Sequence, residues 1–305
     1  MALHAQPVRR RSPLGQVVQF PLVRIILAAL VLLVGVAAMQ SIAIQPLRAA
    51  ASLSTPASLG WLLIYLLSSV LVALLCYRGF VRVVERRPAV ELSSAGAARE
   101  LGAGMLLGGA LFAATLAVLW LLGYLRLAGA LSWQVLGAAL AVNVAGAVVE
   151  EVLLRGILFR ITEEAAGTWI ALAVSVVVFG LLHAGGVASS PAAIVVVALA
   201  GGLLPGAAYV LSRRLWLPIG IHAGWDFVQD IILGLALAGH QVPGLVRAQI
   251  AGPSVVTGGG IGPEGSLVAL ALCLAASTYL LARASRHDGI VRPFWVRLHK
   301  TPAIT

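Results

Sequence analysis

The stretch WQVLGAALAVNVAGAVVEEVLL, residues 133–154, is long and apolar enough to cross a membrane as a helix. A span needs about 20 apolar residues, because about 30 Å of hydrocarbon is crossed at about 1.5 Å per residue. Glu150 and Glu151 near its end are costly at membrane depth, with estimates from about 2.5 to above 10 kcal/mol. The stretch therefore predicts a membrane helix that carries a functional site.

Composition extends this prediction to the whole chain. Apolar residues make up 60% of it and charged residues only 10%, whereas soluble domains carry about 25% charged residues. We therefore predict an all-α, polytopic membrane helix bundle of about eight transmembrane helices. The seven other apolar runs are 20–39, 58–77, 102–124, 168–187, 191–211, 215–237 and 265–282.

The distribution of cations predicts the orientation of the chain. Eighteen of the 21 Lys and Arg residues, with Arg155 and Arg160 counted after the fourth run, fall on the side of the two termini. The positive-inside rule then places both termini in the cytoplasm of a multi-pass protein of the cell (inner) membrane. Because these cations face anionic headgroups, the net charge of +10 indicates a lipid bilayer as partner and no nucleic acid.

These runs and the charges between them divide the chain into segments. The 238–264 loop is rich in Gly and Pro and shows no readable chemistry. The predicted segments are a basic cytoplasmic tail at 1–19, N-terminal membrane helices at 20–124 with a cytoplasmic segment at 78–100, a four-helix core at 133–237, the outer loop at 238–264, and a last helix with a basic cytoplasmic tail at 265–305.

Helical spacing groups the ionisable residues of the core. Residues four apart share one face of a helix, so Glu151 can pair with Arg155, while Glu150 is rotated about 100° away and is free to point elsewhere. His222 and Asp226 also share a face. Such residues usually face the bundle interior and mark a functional site, although the Glu151–Arg155 pair is equally compatible with a purely structural ion pair.

Two further residues have plain structural interpretations. Phe179 shares a helix face with His183 and is suited to packing, and Asp230, one turn beyond Asp226, can be a solvated residue near the outer boundary.

Small residues spaced four apart let helices approach closely. Two pairs of glycines have this spacing, Gly202 with Gly206 and Gly220 with Gly224.

Three strings occur in order: EEVLLRGILFR at 150–160, FGLLH at 179–183 and HAGWD at 222–226. They fit Glu-Glu-x-x-x-Arg, Phe-x-x-x-His and His-x-x-x-Asn/Asp. With the lead-in GGLLPGAAYVLSRRLWLPIGIHAGWDF at 201–227, they resemble the CPBP family of CAAX proteases and bacteriocin-processing enzymes, also called the Abi family. The resemblance covers about 145–230.

This resemblance implies an eight-helix intramembrane endopeptidase that hydrolyses a peptide bond of a membrane-associated or lipid-modified protein or peptide. It implies that Glu150 activates water and that His183 holds or polarises that water. It also implies that His222 and Asp226 stabilise the oxyanion. The supporting residues that it implies are Glu151, Arg155 and Phe179.

Position 226 departs from the pattern of the prenyl-protein proteases of the family, which tend to have Asn. An ionised Asp cannot donate a hydrogen bond to an oxyanion, but it can accept one from His222, or it can be protonated if it is buried. The departure weakens the inference of a prenylated substrate more than that of a protease. No cofactor is required for this chemistry, although a divalent metal such as Zn is an alternative. Its ligands would be Glu150, His183, His222 and Asp226.

Two other functions use the same residues differently. A non-proteolytic membrane scaffold or regulator would keep the fold without the chemistry, and a proton-linked transporter would use the buried acids and histidines as a relay. The chain shows no internal repeat, which disfavours the transporter. It also has no His-Glu-x-x-His, Gly-x-Gly-Asp or Gly-x-Ser-Gly motif of other intramembrane proteases.

One geometric conflict accompanies the predicted helix bounds. If the fifth helix begins near Thr168, His183 lies about 22 Å from the cytoplasmic edge, whereas Glu150 lies only a few ångström from it. Straight, untilted helices would keep the two side chains apart. Either these helices are tilted, broken or re-entrant, or the predicted bounds are wrong.

Overall fold

The chain folds as an all-α helix bundle in a computed structural model, which describes residues 13–50, 52, 55–128, 134–184, 191–237 and 240–298. The predicted basic residues at positions 9–11 and 300 lie outside these ranges. The described residues form eight long helices. They are α1 (Pro21–Ala43), α2 (Pro56–Phe80), α3 (Ala97–Leu121), α4 (Gln134–Glu151, with its continuation to 166), α5 (Thr168–His183), α6 (Pro191–Ser212), α7 (Trp216–Leu233) and α8 (Leu267–Ser285).

Short elements connect these helices. The strands are β1 (Leu125–Ala128), β2 (Leu235–Leu237), β3 (His240–Val242) and β4 (Arg247–Ile250). Strand β1 pairs antiparallel with β4, and β2 pairs antiparallel with β3. The 238–264 segment is therefore partly ordered into strands. The short helices and turns are Pro13–Val18, Gln45–Ala49, Val81–Glu85, Val90–Leu92, Ser254–Thr257, Gly259–Ile261, Pro263–Gly265 and Phe294–Leu298.

The prediction of a polytopic membrane helix bundle is confirmed. By length and composition, six helices within the described ranges can cross a membrane. The count of eight crossings stays a prediction, because α5 has only 16 residues and α7 is not one of the six. The six spans are Pro21–Ala49, Pro56–Glu85, Ala97–Leu121, Val135–Ala166, Pro191–Ser212 and Leu267–Ser285.

The fourth helix is longer than its apolar run indicated. After Glu151 it continues through a π-helix, Val152–Phe159, and an α-helix, Arg160–Ala166. The predicted end at 154 is therefore wrong, and Glu150 lies near the middle of a 32-residue span. This position removes the conflict with His183, because neither residue need reach across the membrane to the other.

Arg155 and Arg160 were counted as cytoplasmic surface cations, and the structure corrects this as well. Arg155 is completely buried and Arg160 is 5% exposed. Arg160 donates to Glu85, at 2.7 Å, which also accepts from Arg24 and Arg87. Ion pairs within α4 and between helices thus allow α4 to carry these charges inside the bundle, whereas a prediction from hydrophobicity alone ends the helix there.

Helices α3 and α7 approach each other backbone to backbone. A Cβ atom at Gly108 would lie 1.9 Å from the main-chain oxygen of Ile221, and one at Gly224 would lie 2.2 Å from that of Met105. Only glycine leaves room for such an approach. The packing places α7, and the histidine and acids on it, against the centre of the bundle.

Candidate active site

The first motif lies where the α-helix changes into the π-helix. A π segment has a wider turn than an α-helix and is frequent at functional sites. Arg155 lies within it and donates from Nη1 to Glu151 Oε1 at 2.7 Å. Both side chains are completely buried, so the predicted pair forms in the protein interior rather than at the cytoplasmic edge.

The second half of the Arg155 guanidinium reaches helix α6. Its Nη2 donates to the main-chain oxygens of Gly201, at 2.6 Å, and Gly202, at 3.1 Å. Pro205 has no N–H, so the carbonyl of Gly201, four residues earlier, lacks its usual helical donor. Arg155 supplies that donor and thereby connects the Glu-Glu-x-x-x-Arg motif to α6.

His222 is held between carboxylates on both sides of its ring. Its Nδ1 lies 2.8 Å from Glu151 Oε1, and its Nε2 lies 3.2 Å from Asp226 Oδ2. The same Nε2 lies 3.9 Å from Glu150 Oε2. An imidazole donates from both nitrogens only when it is protonated, so this arrangement favours a His222 cation at the centre of the site.

His183 is oriented by its own helix. Its Nδ1 is 2.9 Å from the main-chain oxygen of Phe179, and because a carbonyl only accepts, Nδ1 carries the proton. In the neutral ring, Nε2 is then the acceptor. The ring stacks on Phe179 with centroids 4.2 Å apart, and the Arg155 guanidinium carbon lies 5.9 Å from the Phe179 centroid. Phe179 thus positions His183 and covers the buried ion pair.

Gly201 makes room for this stack. A Cβ atom at position 201 would lie 2.3 Å from the Phe179 ring, so any larger residue would displace the ring that carries His183.

The four predicted catalytic side chains line one cavity of about 280 Å³. Glu150 presents a 39% exposed side chain to it, and its Oε2 has no hydrogen-bond partner among the described residues. The Oε2 atom is buried, but the side chain as a whole is exposed to the cavity, and a carboxylate placed there beside an imidazole is suited to accept a proton from water. The structure therefore brings together the four residues for which the resemblance implies a catalytic role. They are Glu150, His183, His222 and Asp226.

The cavity also contains residues that the motifs did not indicate. Asn143 lines it from α4, and Gln229, Asp230 and Glu264 line it as well. Asn143 was detectable, because it lies seven residues, or two helical turns, before Glu150 on the same face. Glu264 carried no local signal, since it is an isolated acid in a segment for which no chemistry was predicted.

The arrangement of the side chains gives no support to the metal alternative, which stays a prediction. Within the described residues, no group of three or more His, Cys, Asp or Glu side chains is arranged to hold a metal ion.

Comparison with known proteins agrees with the motifs. Residues 131–228, about a third of the chain, match the family model described as Type II CAAX prenyl endopeptidase Rce1-like. The match supports the CPBP/CAAX protease family assignment that the three motifs indicate. In general terms, it supports a CAAX-type intramembrane protease. No curated protein and no solved structure matches the chain.

Glu264 makes the stability of the protein depend on pH. Burial, with the nearby Asp226 carboxyl, raises the pKa of Glu264 from 4.5 to about 7. A raised folded-state pKa favours folding below the unfolded value and loses this advantage as the pH rises through about 7. We expect the wild type to lose about 1.4 kcal/mol per pH unit relative to Glu264→Gln between about pH 5 and 7.

Thermal unfolding in mild detergent from pH 4.5 to 8 measures this difference. Asp288→Asn is the matched control, because Asp288 is exposed and asparagine tolerates its positive φ of 53°. Parallel curves for the wild type and Glu264→Gln would contradict the prediction.

Proposed function

We propose that the protein is an intramembrane endopeptidase that hydrolyses a peptide bond of a membrane-associated or lipid-modified protein or peptide, with Glu150 as the general base. One observation carries the proposal. The free carboxylate oxygen of Glu150 faces the Nε2 of His222, whose other nitrogen is fixed by the buried Glu151–Arg155 pair. Base and hydrogen-bond donor thus lie in one cavity, as hydrolysis without a covalent intermediate requires.

The proposed reaction begins with a water molecule between Glu150 and His183. Glu150 takes one proton while the water oxygen bonds to the scissile carbonyl carbon, whose π electrons move to its oxygen. The His222 cation donates its Nε2–H to that oxyanion. When the C–N bond breaks, the oxyanion re-forms the carbonyl and the amine leaves with the proton that Glu150 had taken.

Asp226 has a positioning role in this scheme. An ionised carboxylate has no proton to offer the oxyanion, but it accepts the Nε2–H of His222 at 3.2 Å. It therefore orients the imidazole of His222 and stabilises its protonated form before the substrate binds. The substrate carbonyl then takes its place as acceptor of that hydrogen bond.

The proposed setting is the cell membrane, with both termini in the cytoplasm. The excess of Lys and Arg on the side of the termini supports this orientation, even with Arg155 and Arg160 assigned to the bundle interior.

Comparison of peptide termini in cells tests the proposal. Cells expressing the wild type would be set against cells expressing Glu150→Gln at matched membrane levels, with Asp288→Asn as the control for an exposed carboxylate. We expect new termini of membrane or secreted proteins with the wild type and the control, and none with Glu150→Gln. Identical termini in all three strains would contradict proteolysis and favour the scaffold function.

A further inference from the structure

The end of the cavity that carries Asp230 and Glu264 is strongly acidic. Asp230 lies one helical turn beyond Asp226 on α7, and Glu264 comes from the short helical turn Pro263–Gly265. Gln229 and Asn143 line the cavity with them. We call these four residues the acidic end; none of them belongs to the three motifs.

The charge of this cavity is opposite to that of the whole chain. Four of the 11 Asp and Glu residues line it, namely Glu150, Asp226, Asp230 and Glu264. Among the described residues that line it, none is one of the 21 Lys and Arg residues. The His222 cation also lines the cavity, but the acids outnumber it. A cleft in which one sign of charge predominates raises the local concentration of ligands of the opposite sign.

Unsatisfied polar atoms at the acidic end indicate a ligand independently of the charge. Asn143 is only 6% exposed, and its Nδ2 has no hydrogen-bond partner of good geometry among the described residues, although the Asp230 carboxyl lies nearby. The Oε1 of Gln229 is also buried without a partner. Leaving buried polar groups unpaired is unfavourable, so a ligand that pairs them binds more tightly.

One donor and one acceptor left free match what a peptide backbone offers. The carbonyl of a bound peptide can accept from Asn143, and its N–H can donate to Gln229. A lysine or arginine side chain of the same peptide would favour the ionised forms of Asp230 and Glu264, because an opposite charge nearby stabilises a carboxylate. Arg155 does not neutralise them, because its two terminal nitrogens are engaged by Glu151 and the α6 carbonyls.

We propose that the acidic end is a substrate subsite, in which Asp230 and Glu264 select a peptide with a lysine or arginine side chain next to the bond that is cleaved. This inference rests on the proposed endopeptidase function and names its substrate class.

Internally quenched apolar decapeptides test the selection. Each carries a single lysine, norleucine or glutamate at one of the positions, and each is incubated with the full-length protein in lipid nanodiscs. We expect kcat/KM for the best lysine peptide to exceed that for its norleucine counterpart by about tenfold, with the glutamate peptide slowest. In Asp230→Asn/Glu264→Gln the ratio of lysine to norleucine falls towards one, while Asp288→Asn keeps the wild-type ratio.

Binding of the same peptides to Glu150→Gln separates this inference from the proposed function. Tighter binding of the lysine peptide without cleavage by the wild type would support the subsite and contradict the endopeptidase. Equal binding and equal cleavage of the lysine and norleucine peptides by the wild type would overturn the subsite. Because these readings use the wild type and Glu150→Gln, they hold even if the double variant fails to fold.

Discussion

Arg155→Ala is expected to lower the free energy of unfolding by about 3–5 kcal/mol, the cost of breaking a buried ion pair by removing one partner. The substitution removes the guanidinium from a completely buried pair and leaves the Glu151 carboxylate without its cation. It also leaves the Gly201 carbonyl, already deprived of a donor by Pro205, without a hydrogen bond. Chemical or thermal unfolding in detergent measures the loss.

A double variant distinguishes the loss of the pair from the loss of volume. Glu151→Gln/Arg155→Met removes both buried charges and keeps similar side-chain volumes, so we expect it to recover a large part of the stability lost in Arg155→Ala. We expect no recovery of proteolysis, because His222 loses the carboxylate that holds its Nδ1. Arg286→Ala, at an exposed position, is the control. Equal stabilities of Arg155→Ala and Arg286→Ala would contradict the role assigned to the pair.

His222→Gln is expected to lower kcat by about 10²–10³, the effect of losing one donor to an oxyanion, with a much smaller change in KM. Glutamine is uncharged and cannot bridge Glu151 and Asp226 as the imidazolium does. Steady-state kinetics on a peptide cleaved by the wild type measures both constants. His287→Gln, on an exposed histidine, controls for loss of a surface imidazole.

A double variant, His222→Gln/Glu150→Gln, tests whether His222 and Glu150 act as one catalytic unit. Residues of one catalytic unit give strongly non-additive losses, so the double variant should be about as slow as the slower single variant. Losses that multiplied would contradict a single catalytic unit. A rise in KM alone in His222→Gln would show that His222 is a binding residue rather than a participant in the transition state.

The membrane class, the helical fold and the motif residues could be predicted from the sequence alone. Hydrocarbon thickness sets the length of an apolar helix, so eight apolar runs already defined an all-α membrane protein. Spacing along one helix likewise predicted that Glu151 pairs with Arg155 and that His222 lies above Asp226, because residues four apart must share a face. These are contacts within single helices, which sequence spacing reports directly.

The end of α4 differs from the predicted one for a physical reason. Arg155 and Arg160 interrupt the apolar run, and a prediction based on hydrophobicity alone places the edge of the membrane at an arginine. In the folded protein, carboxylates from the same and neighbouring helices neutralise these cations, so the helix continues to 166. Whether a charge ends a span depends on its partners, and partners from other helices are invisible in the local sequence.

The working arrangement of the site depends on contacts between helices. Glu151 and His222 are 71 residues apart, and Arg155 reaches a carbonyl 46 residues away. Asn143 enters the cavity from α4, and Glu264 enters it from the short turn that precedes α8. Spacing along the chain specifies which side chains share one helix face. Which faces then meet is decided by close packing, such as the glycine contact between α3 and α7, and by the requirement that every buried charge find a partner.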